Sequence, residues 1–218
     1  MPSPAAAQWA TTVSIESDYR LRGYSLTDQQ PAVTAQVSYD HRSGAYFNLS
    51  ALGALGGDDP GFMGVIANAG YARRINSAVT VDGGVLRSDI RASDRYARPY
   101  RYTEIYAGAS VGRFVGRVYY SPDYRSSNVQ TLYGELEAGV EPAPKWRVSG
   151  HVGSMLYLTS AQYWAANSTH VDWRLSVSRQ LGRAEIHGAV SGGGPGEKRP
   201  YHPQPDKVRL TAGASISF

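Results

Sequence analysis

Charged side chains and histidines recur at every second position in several segments of this sequence. Glu135 and Glu137 form one such pair, and Asp18, Arg20 and Arg22 form a longer series. Residues two apart in an extended strand point to the same face of a sheet, so each series would line one surface. The candidates for such a surface are Glu16, Asp18, Arg20, Arg22, Glu104, Arg117, Glu135, His151, Arg174, His187, Lys207 and Arg209. Mixed acidic and basic groups can form internal ion pairs or can select solutes by charge, and both interpretations stay open.

Signals for catalysis are weak. A serine hydrolase needs a serine, a histidine and an acid within hydrogen-bond reach of one another. Only Ser168 with His170, near the end of a long connection, offers a candidate pair. Because the chain has no cysteine, disulfides and cysteine metal sites are excluded. We expect no enzymatic activity, no cofactor, no metal site and, since no recognition motif is present, no nucleic-acid binding.

The elements that position these side chains are predicted to be strands with one apolar and one polar face. Segment 207–218 alternates without a break and ends on Phe218. Its apolar positions are Val208, Leu210, Ala212, Ala214, Ile216 and Phe218. A period of two indicates a β-strand with two different faces. The same alternation recurs along the chain, and it predicts a first strand from Trp9 to Gly23.

No Asp, Glu, Lys, Arg or His interrupts the apolar face of any predicted strand. A transmembrane barrel requires such a face, because one Arg or Lys at the bilayer midplane costs about 2–4 kcal/mol. A soluble sandwich would need a second kind of sheet to cover the apolar faces, yet every strand carries the same one-sided pattern. We therefore predict an all-β fold, a transmembrane antiparallel up-and-down β-barrel in the bacterial outer membrane.

The connections between the predicted strands alternate in length. The short ones are 42–44, 73–76, 112–113, 141–145 and 180–183, and the long ones are 24–30, 53–61, 87–101, 121–129, 159–170 and 192–206. Outer-membrane barrels have short periplasmic turns and long extracellular loops, so this alternation predicts about 12 strands, with 10 as the alternative. We expect residues 1–8 to be a leader ahead of a barrel that spans 9–218. The native precursor is expected to carry a cleaved signal peptide.

Aromatic and basic residues predict how the barrel meets the membrane. The aromatic residues of the apolar face near strand ends are Trp9, Tyr39, Tyr71, Phe114, Trp146, Trp173 and Phe218, with Tyr19 as a further candidate. Such rings are typical of the girdles at the two membrane–water interfaces. The arginines of connection 87–101 are expected to contact lipopolysaccharide phosphates or to recruit anionic solute; they are Arg87, Arg91, Arg95, Arg98 and Arg101. A solvated loop, or a loop folded inward against acidic wall residues, is the alternative. We expect the barrel-assembly machinery to recognise the closing strand through Phe218.

The first third of the chain resembles the TorF family, a proteobacterial group of outer-membrane proteins of unknown function classed as porins. The likeness rests on 18–23 (DYRLRG), Ser25, Thr27, 31–32, Tyr39, His41, 43–44 and Tyr46, with 102–108 (YTEIYAG) as a second stretch. The chain departs from the family pattern at 48–55, which lacks a tryptophan-containing stretch. The resemblance implies a signal-directed outer-membrane barrel and supplies no catalytic residues.

These observations predict a porin-like channel for the passive diffusion of small hydrophilic solutes. Closure of the barrel would bring Asp18, Arg20 and Arg22 beside Lys207 and Arg209, and this mainly basic patch would favour anionic solutes. A plugged barrel with a structural or adhesive role is one alternative. An outer-membrane lipid-modifying enzyme is another.

Turn lengths also predict which inward residues face each other. A pairing of Val140 with Trp146 would place Glu135 opposite His151. The same reasoning, applied from Val177 and Ala184, would place Arg174 opposite His187. A Glu135–His151 pair would give the lumen some pH sensitivity, because histidine titrates near neutral pH. A purely structural hydrogen bond is the alternative.

Overall fold

The computed structural model describes residues 8–91, 99–159, 169–194 and 208–218. Its strands are β1 (Gln8–Glu16), β2 (Arg20–Leu21), β3 (Tyr24–Ser25), β4 (Ala32–Asp40), β5 (Ala45–Ala54), β6 (Gly61–Arg74), β7 (Val79–Ile90), β8 (Tyr100–Val111), β9 (Phe114–Ser121), β10 (Thr131–Ala143), β11 (Trp146–Tyr157), β12 (His170–Leu181), β13 (Ala184–Gly194) and β14 (Arg209–Ser217). All except β2 and β3 form one closed antiparallel barrel, which confirms the predicted 12 strands. Within the described ranges, no helix is long and apolar enough to cross a membrane.

The barrel closes between its first and last strands. Val13 of β1 lies opposite Ile216 of β14, and the amide of Phe218 donates to the carbonyl of Thr11 at 2.9 Å. Every other pairing joins strands that are consecutive around the barrel in sequence order. Closure leaves no unpaired strand edge, which a sheet in hydrocarbon requires because lipid supplies no hydrogen-bond partners.

The apolar faces of the strands point outward and the polar faces point inward. In β8, Ile105 is 58% exposed, whereas its neighbours Glu104 and Tyr106 are 0% and 7% exposed. In β14, Leu210 is 84% exposed and Thr211 is buried. A soluble protein would bury its apolar face, so this arrangement fits a wall surrounded by lipid.

The two ends of the barrel differ in their connections. At one end, the strands are joined by tight turns. The start of β1 and the end of β14 also lie at this end. Gly112 and Gly182 occupy two of these turns with φ of 60° and 68°, a backbone conformation that glycine adopts without strain. The connections at the opposite end are longer. We refer to these as the short-turn end and the loop end.

The first strand is shorter than predicted. β1 ends at Glu16, and the chain then turns into the barrel interior instead of continuing along the wall to Gly23. Residues 20–25 form a two-stranded hairpin, which we call the lumen hairpin, with Arg22 and Gly23 in its turn at φ of 50° and 79°. Tyr19 packs against the interior cluster of buried residues, so its predicted place in an aromatic girdle is wrong.

The loop-end half of the interior is packed with side chains. The lumen hairpin and the connection 122–130 both fold inward and meet inward-facing residues of the wall. The largest fully buried side chains include Leu26, Tyr102, Tyr124, Tyr133 and Met155. The barrel therefore has a dry half, where these two segments fill the lumen, and a more open half toward the short turns.

Candidate functional site

Arg22 at the tip of the lumen hairpin is bonded to the opposite wall. Its two terminal nitrogens donate to the two carboxylate oxygens of Glu104 in β8 at 2.7 and 2.8 Å. The side chains are 8% and 0% exposed. Two parallel bonds between a guanidinium and a carboxylate fix orientation as well as distance. This pair joins the hairpin to a wall strand 82 positions further along the chain.

Three tyrosine rings surround the Arg22 guanidinium. Its central carbon lies 4.0 Å from the ring centre of Tyr133, 5.2 Å from Tyr119 and 5.8 Å from Tyr102. A cation within about 6 Å of an aromatic face is attracted to the ring, more strongly where water is excluded. Burial opposes the charged form, but Tyr102 and Glu104 together hold the pKa of Arg22 well above its ordinary value. Arg22 therefore remains a cation in the dry half.

Asp18 holds the base of the hairpin together. Its carboxylate accepts from the hydroxyl of Ser25, from Thr27 Oγ1 at 3.3 Å and from Arg20 Nη1 at 3.1 Å. Arg20 also donates through Nη2 to the carbonyl of Gly23 at 2.6 Å. These contacts lie within the segment itself, so Asp18 and Arg20 shape the hairpin while Arg22 attaches it to the wall.

A second inward segment supports the hairpin. Tyr124 is 1% exposed, and its ring centre lies 4.8 Å from that of Tyr102. The guanidinium of Arg125 lies 4.1 Å from the ring centre of Tyr100 and 5.6 Å from that of Tyr24 in the hairpin. Burial raises the pKa of the Tyr124 phenol. The two inward segments therefore pack as one body.

Below the hairpin, strands β5 to β10 carry a chain of hydrogen bonds along the wall. Tyr46 and Tyr106 share a bond of 2.6 Å between their hydroxyls. Tyr46 also donates to Asp82 at 3.1 Å, and Arg117 Nε donates to the same carboxylate at 2.9 Å. The predicted inward candidate Arg117 is thus neutralised by an acid on its own wall. In β9 and β10, the phenol of Tyr119 donates to Glu135 at 2.7 Å.

His151 lies among acids, but its cross-strand partner is not the predicted one. Glu135 faces Gly153 and Glu137 faces His151, because β10 extends to Ala143 with a register shift after Val140. His151 Nε2 lies 3.0 Å from Asp172, and Nδ1 lies 3.5 Å from Glu137. Possible metal-ligand atoms of Glu135, Glu137 and His151 lie within 4.8 Å of one another, a grouping that the sequence did not indicate.

His187 also has an acidic partner, again not the predicted one. Leu181, not Val177, faces Ala184, which places Ser178 opposite His187 and Ser191 opposite Arg174. The predicted pairing of Arg174 with His187 is wrong because β12 runs on to a tight turn at Gly182. Across the barrel closure, His187 Nε2 lies 2.9 Å from the carboxylate of Glu16.

The predicted basic patch beside the barrel closure does not form as expected. Arg209 lies opposite Ser191 in β13, while Arg22 crosses the interior to Glu104 and Arg20 pairs with Asp18. The reason is the inward turn after Glu16, which removes the hairpin residues from the wall. Lys207, the remaining member, lies outside the described residues.

Three other arginines instead line the lumen between the short-turn end and the level of His151. Arg113, Arg147 and Arg174 line a cavity of about 260 Å³, which we call the vestibule, together with Glu137, His151, Ser149 and Ser176. Within the described ranges, none of these three arginines forms an ion pair. Arg113 lies in a turn rather than in an alternating segment, so no pattern in the sequence singled it out.

On the opposite wall of the open half, strands β4 to β6 contribute neutral polar side chains. A cavity of about 360 Å³ is lined there by Gln36, Asn48, Ser50 and Asn68, and also by Tyr46 and by Arg117, which is paired with Asp82. The side-chain amides of Asn48 and Asn68 are joined by a bond of 2.8 Å. The open half thus presents arginines and acids on one side and neutral hydrogen-bonding groups on the other.

The chain resembles known proteins in both sequence and fold. Residues 3–193 match the model of a family described as a bacterial protein of unknown function (Gcw_chp). The chain belongs to this family. Among curated proteins, none matches the sequence.

Several solved outer-membrane channels share the fold of this Gcw_chp protein. The KdgM porin has a TM-score of 0.59 at 11% identity, covering 96% of this chain and 99% of that chain. The NanC porin has a TM-score of 0.58 at 8% identity, with coverages of 96% and 98%. The COG4313 outer membrane channel from Pseudomonas putida F1 has a TM-score of 0.53 at 12% identity, with coverages of 99% and 96%. The fold of this Gcw_chp protein is therefore that of an outer-membrane porin.

The aromatic residues proposed for the girdles lie on the outer surface of the barrel. Those near the short-turn end include Trp9 (65% exposed), Tyr71, Phe114, Trp146 and Phe218, and Trp173 lies nearer the loop end. Tyr39 is half-buried, with its ring centre 4.6 Å from that of Trp9. Their contact with lipid remains a prediction.

The remaining sequence candidates lie at the loop end. Arg87, Arg91 and Arg101 each form an ion pair with an acid, namely Asp123, Asp59 and Asp89. Arg95, Arg98 and Ser168 lie outside the described residues, as does the side chain of His170. The lipopolysaccharide contact and the Ser168–His170 hydrolase pair therefore stay predictions.

Proposed function

We propose that this protein is an outer-membrane channel for the passive diffusion of small hydrophilic solutes, and that it favours anions over cations. The observation that carries the proposal is the polar, partly open interior inside an apolar outer wall. Such an interior lowers the barrier that the bilayer presents to a hydrated solute. Free arginines in the vestibule support the preference for anions.

The fold relatives support the same proposal. One of them is described as the KdgM porin in complex with disordered oligogalacturonate, with a TM-score of 0.56 at 12% identity. That solute is a polyanion, which is consistent with an anionic preference here. The resemblance of segment 18–23 to the TorF family belongs to the same proposal, since these residues form the base and the turn of the lumen hairpin.

The proposed location and partners follow from the same fold. The barrel would lie in the outer membrane after removal of a signal peptide, with the short turns in the periplasm. The assembly machinery would recognise β14 through Phe218. Lipid would contact the outer aromatic residues, and lipopolysaccharide would contact the arginines of the loop end. No catalytic role is proposed.

The packed dry half favours a second candidate, a barrel whose lumen is plugged. In that case the protein would serve a structural or adhesive role and would pass no solute. The two candidates differ in whether the lumen hairpin moves away from the wall to which Arg22 attaches it. A channel needs a state in which Arg22 has released Glu104, whereas a plugged barrel does not.

Single-channel recording in planar bilayers separates the candidates. We expect discrete conductance steps from the wild-type protein, and larger steps from a variant that lacks residues 18–29. If the wild type is silent and only the shortened variant conducts, the plugged barrel is correct. If neither conducts although both are folded, the channel proposal is wrong.

A further inference from the structure

The vestibule holds more positive than negative fixed charge. Arg113 lies in the turn between β8 and β9, Arg147 is the second residue of β11, and Arg174 lies within β12. All three are exposed, and Glu137 is the one carboxylate among the residues that line the cavity. Glu137 is already 3.5 Å from His151, which limits its capacity to neutralise the arginines.

The surrounding strands leave these guanidinium groups free to bind a ligand. Gly139 makes room for Arg147, whose Nη2 lies 3.1 Å from the position that a side chain at residue 139 would occupy. Ser149 and Ser176 share a hydroxyl hydrogen bond of 2.7 Å between β11 and β12. The site therefore combines planar cationic donors with hydroxyl groups on adjacent strands.

We propose that the vestibule is a saturable binding site for a small solute that carries carboxylate or phosphate groups. Guanidinium groups match the geometry of such oxyanions and bind them through paired hydrogen bonds. A volume of about 260 Å³ suits a small solute rather than a polymer. This assignment rests on the proposed channel function and gives its solute a chemical class.

Two other interior arginines, Arg22 and Arg117, do not offer this chemistry. Arg22 is paired with Glu104 and Arg117 with Asp82, so acids within the protein already neutralise both charges. Arg179 lies on the other face of β12, where its guanidinium is 5.2 Å from the ring centre of Trp146. Arg179 is therefore a matched control for Arg174, with the same charge on the same strand outside the lumen.

Isothermal titration of the folded barrel in detergent tests the proposal without requiring an open channel. The probes are citrate and inorganic phosphate, with uncharged sucrose as the control. We expect saturable binding of at least one anion and no binding of sucrose. Replacing Arg147 or Arg174 with glutamine should weaken binding about tenfold or more, since a charged hydrogen-bonding partner is lost. The Arg179→Gln variant should bind like the wild type.

Lysine variants distinguish a site that binds the anion through the geometry of its guanidinium groups from one that attracts it only through positive charge. Arg147→Lys and Arg174→Lys retain the charge but lose the planar guanidinium, which can donate two parallel hydrogen bonds to one oxyanion. A site that depends on this geometry therefore loses affinity. Equal affinity in the lysine variants and the wild type, or the absence of anion binding by the folded wild type, would overturn the proposal. Anion binding without any conductance would leave the site standing and refute the channel, so the two failures are distinguishable.

Discussion

Replacement of Arg22 with methionine should release the lumen hairpin from the wall. The variant leaves the Glu104 carboxylate, which is 0% exposed, without its bidentate partner. Removing one member of a buried ion pair costs about 3–5 kcal/mol, because the other charge stays buried and unpaired. If release of the hairpin hydrates Glu104, the state in which the hairpin packs against the wall becomes less favourable. Relative to the state in which the hairpin has left the wall, it is disfavoured roughly a hundred- to a few-thousand-fold.

A double replacement separates the ion pair from the packing of the hairpin. Arg22→Met combined with Glu104→Met removes both charges, so no unpaired carboxylate remains in the dry half. Replacing both members of a buried pair with apolar residues is often neutral or stabilising. The double variant should therefore keep the hairpin seated much better than the single variant does.

Planar-bilayer recording and trypsin cleavage together measure the effect. The single variant should show a higher open probability than the wild type, and its remaining hairpin arginine, Arg20, should become sensitive to trypsin. Arg179→Met is the matched control, since the guanidinium of Arg179 packs against Trp146 outside the lumen. Equal open probability and equal protease resistance in the Arg22 variant and the wild type would refute the proposal that the Arg22–Glu104 pair holds the lumen closed. A double variant as open as the single one would refute the role of the unpaired charge.

Two further predictions concern the contacts around the hairpin. Gly23→Ala should raise the open probability, because its β-carbon would lie 3.0 Å from the carbonyl oxygen of Gly193 and the residue has a φ of 79°; Gly112→Ala, which has a φ of 60° and nothing within 4 Å, is the control, and equal open probability in the two variants would contradict the prediction. Gly153→Ala should lower the free energy of unfolding by about 1–3 kcal/mol, since its methyl group would clash with the fully buried Tyr133. Gly134→Ala, where nothing lies within 4 Å, should change it by less than about 0.5 kcal/mol in urea titration.

The barrel could be predicted because its signal is local. Whether a residue meets lipid or the lumen is decided by its parity along the strand, and the sequence displays that parity directly. Ile105 and Glu104 differ by one position and are 58% and 0% exposed. No long-range information is needed to sort such residues, so the strands, the faces and the short turns followed from the pattern alone.

The lumen hairpin could not be predicted by the same reasoning. Asp18, Arg20 and Arg22 alternate with Tyr19 and Leu21 as they would in a wall strand. What separates the two arrangements is a bond from Arg22 to a carboxylate 82 positions away, together with the tyrosines that surround it. Period two also fits a short hairpin, so the local pattern could not choose between wall and lumen.

The candidate site was partly predictable for a related reason. Inward parity predicted that Glu104, Arg117 and His151 lie on the polar face, but their partners depend on register. A shift after Val140 and a longer β12 changed the partners of His151 and Arg174. Such irregularities depend on turn geometry, which the alternation of apolar residues does not encode.

Desolvation explains why binding and closure would reside in different halves of one lumen. In the dry half a charge must be paired, so Arg22 binds Glu104 and has no capacity left for a solute. In the open half, water can solvate Arg147 and Arg174, so these groups can remain unpaired until a solute replaces that water. Variants of Arg113 and Arg147 should therefore change anion affinity without changing open probability, and Arg22 variants should do the reverse. If vestibule variants instead altered open probability, the two halves would be coupled, and the hairpin would respond to the bound solute.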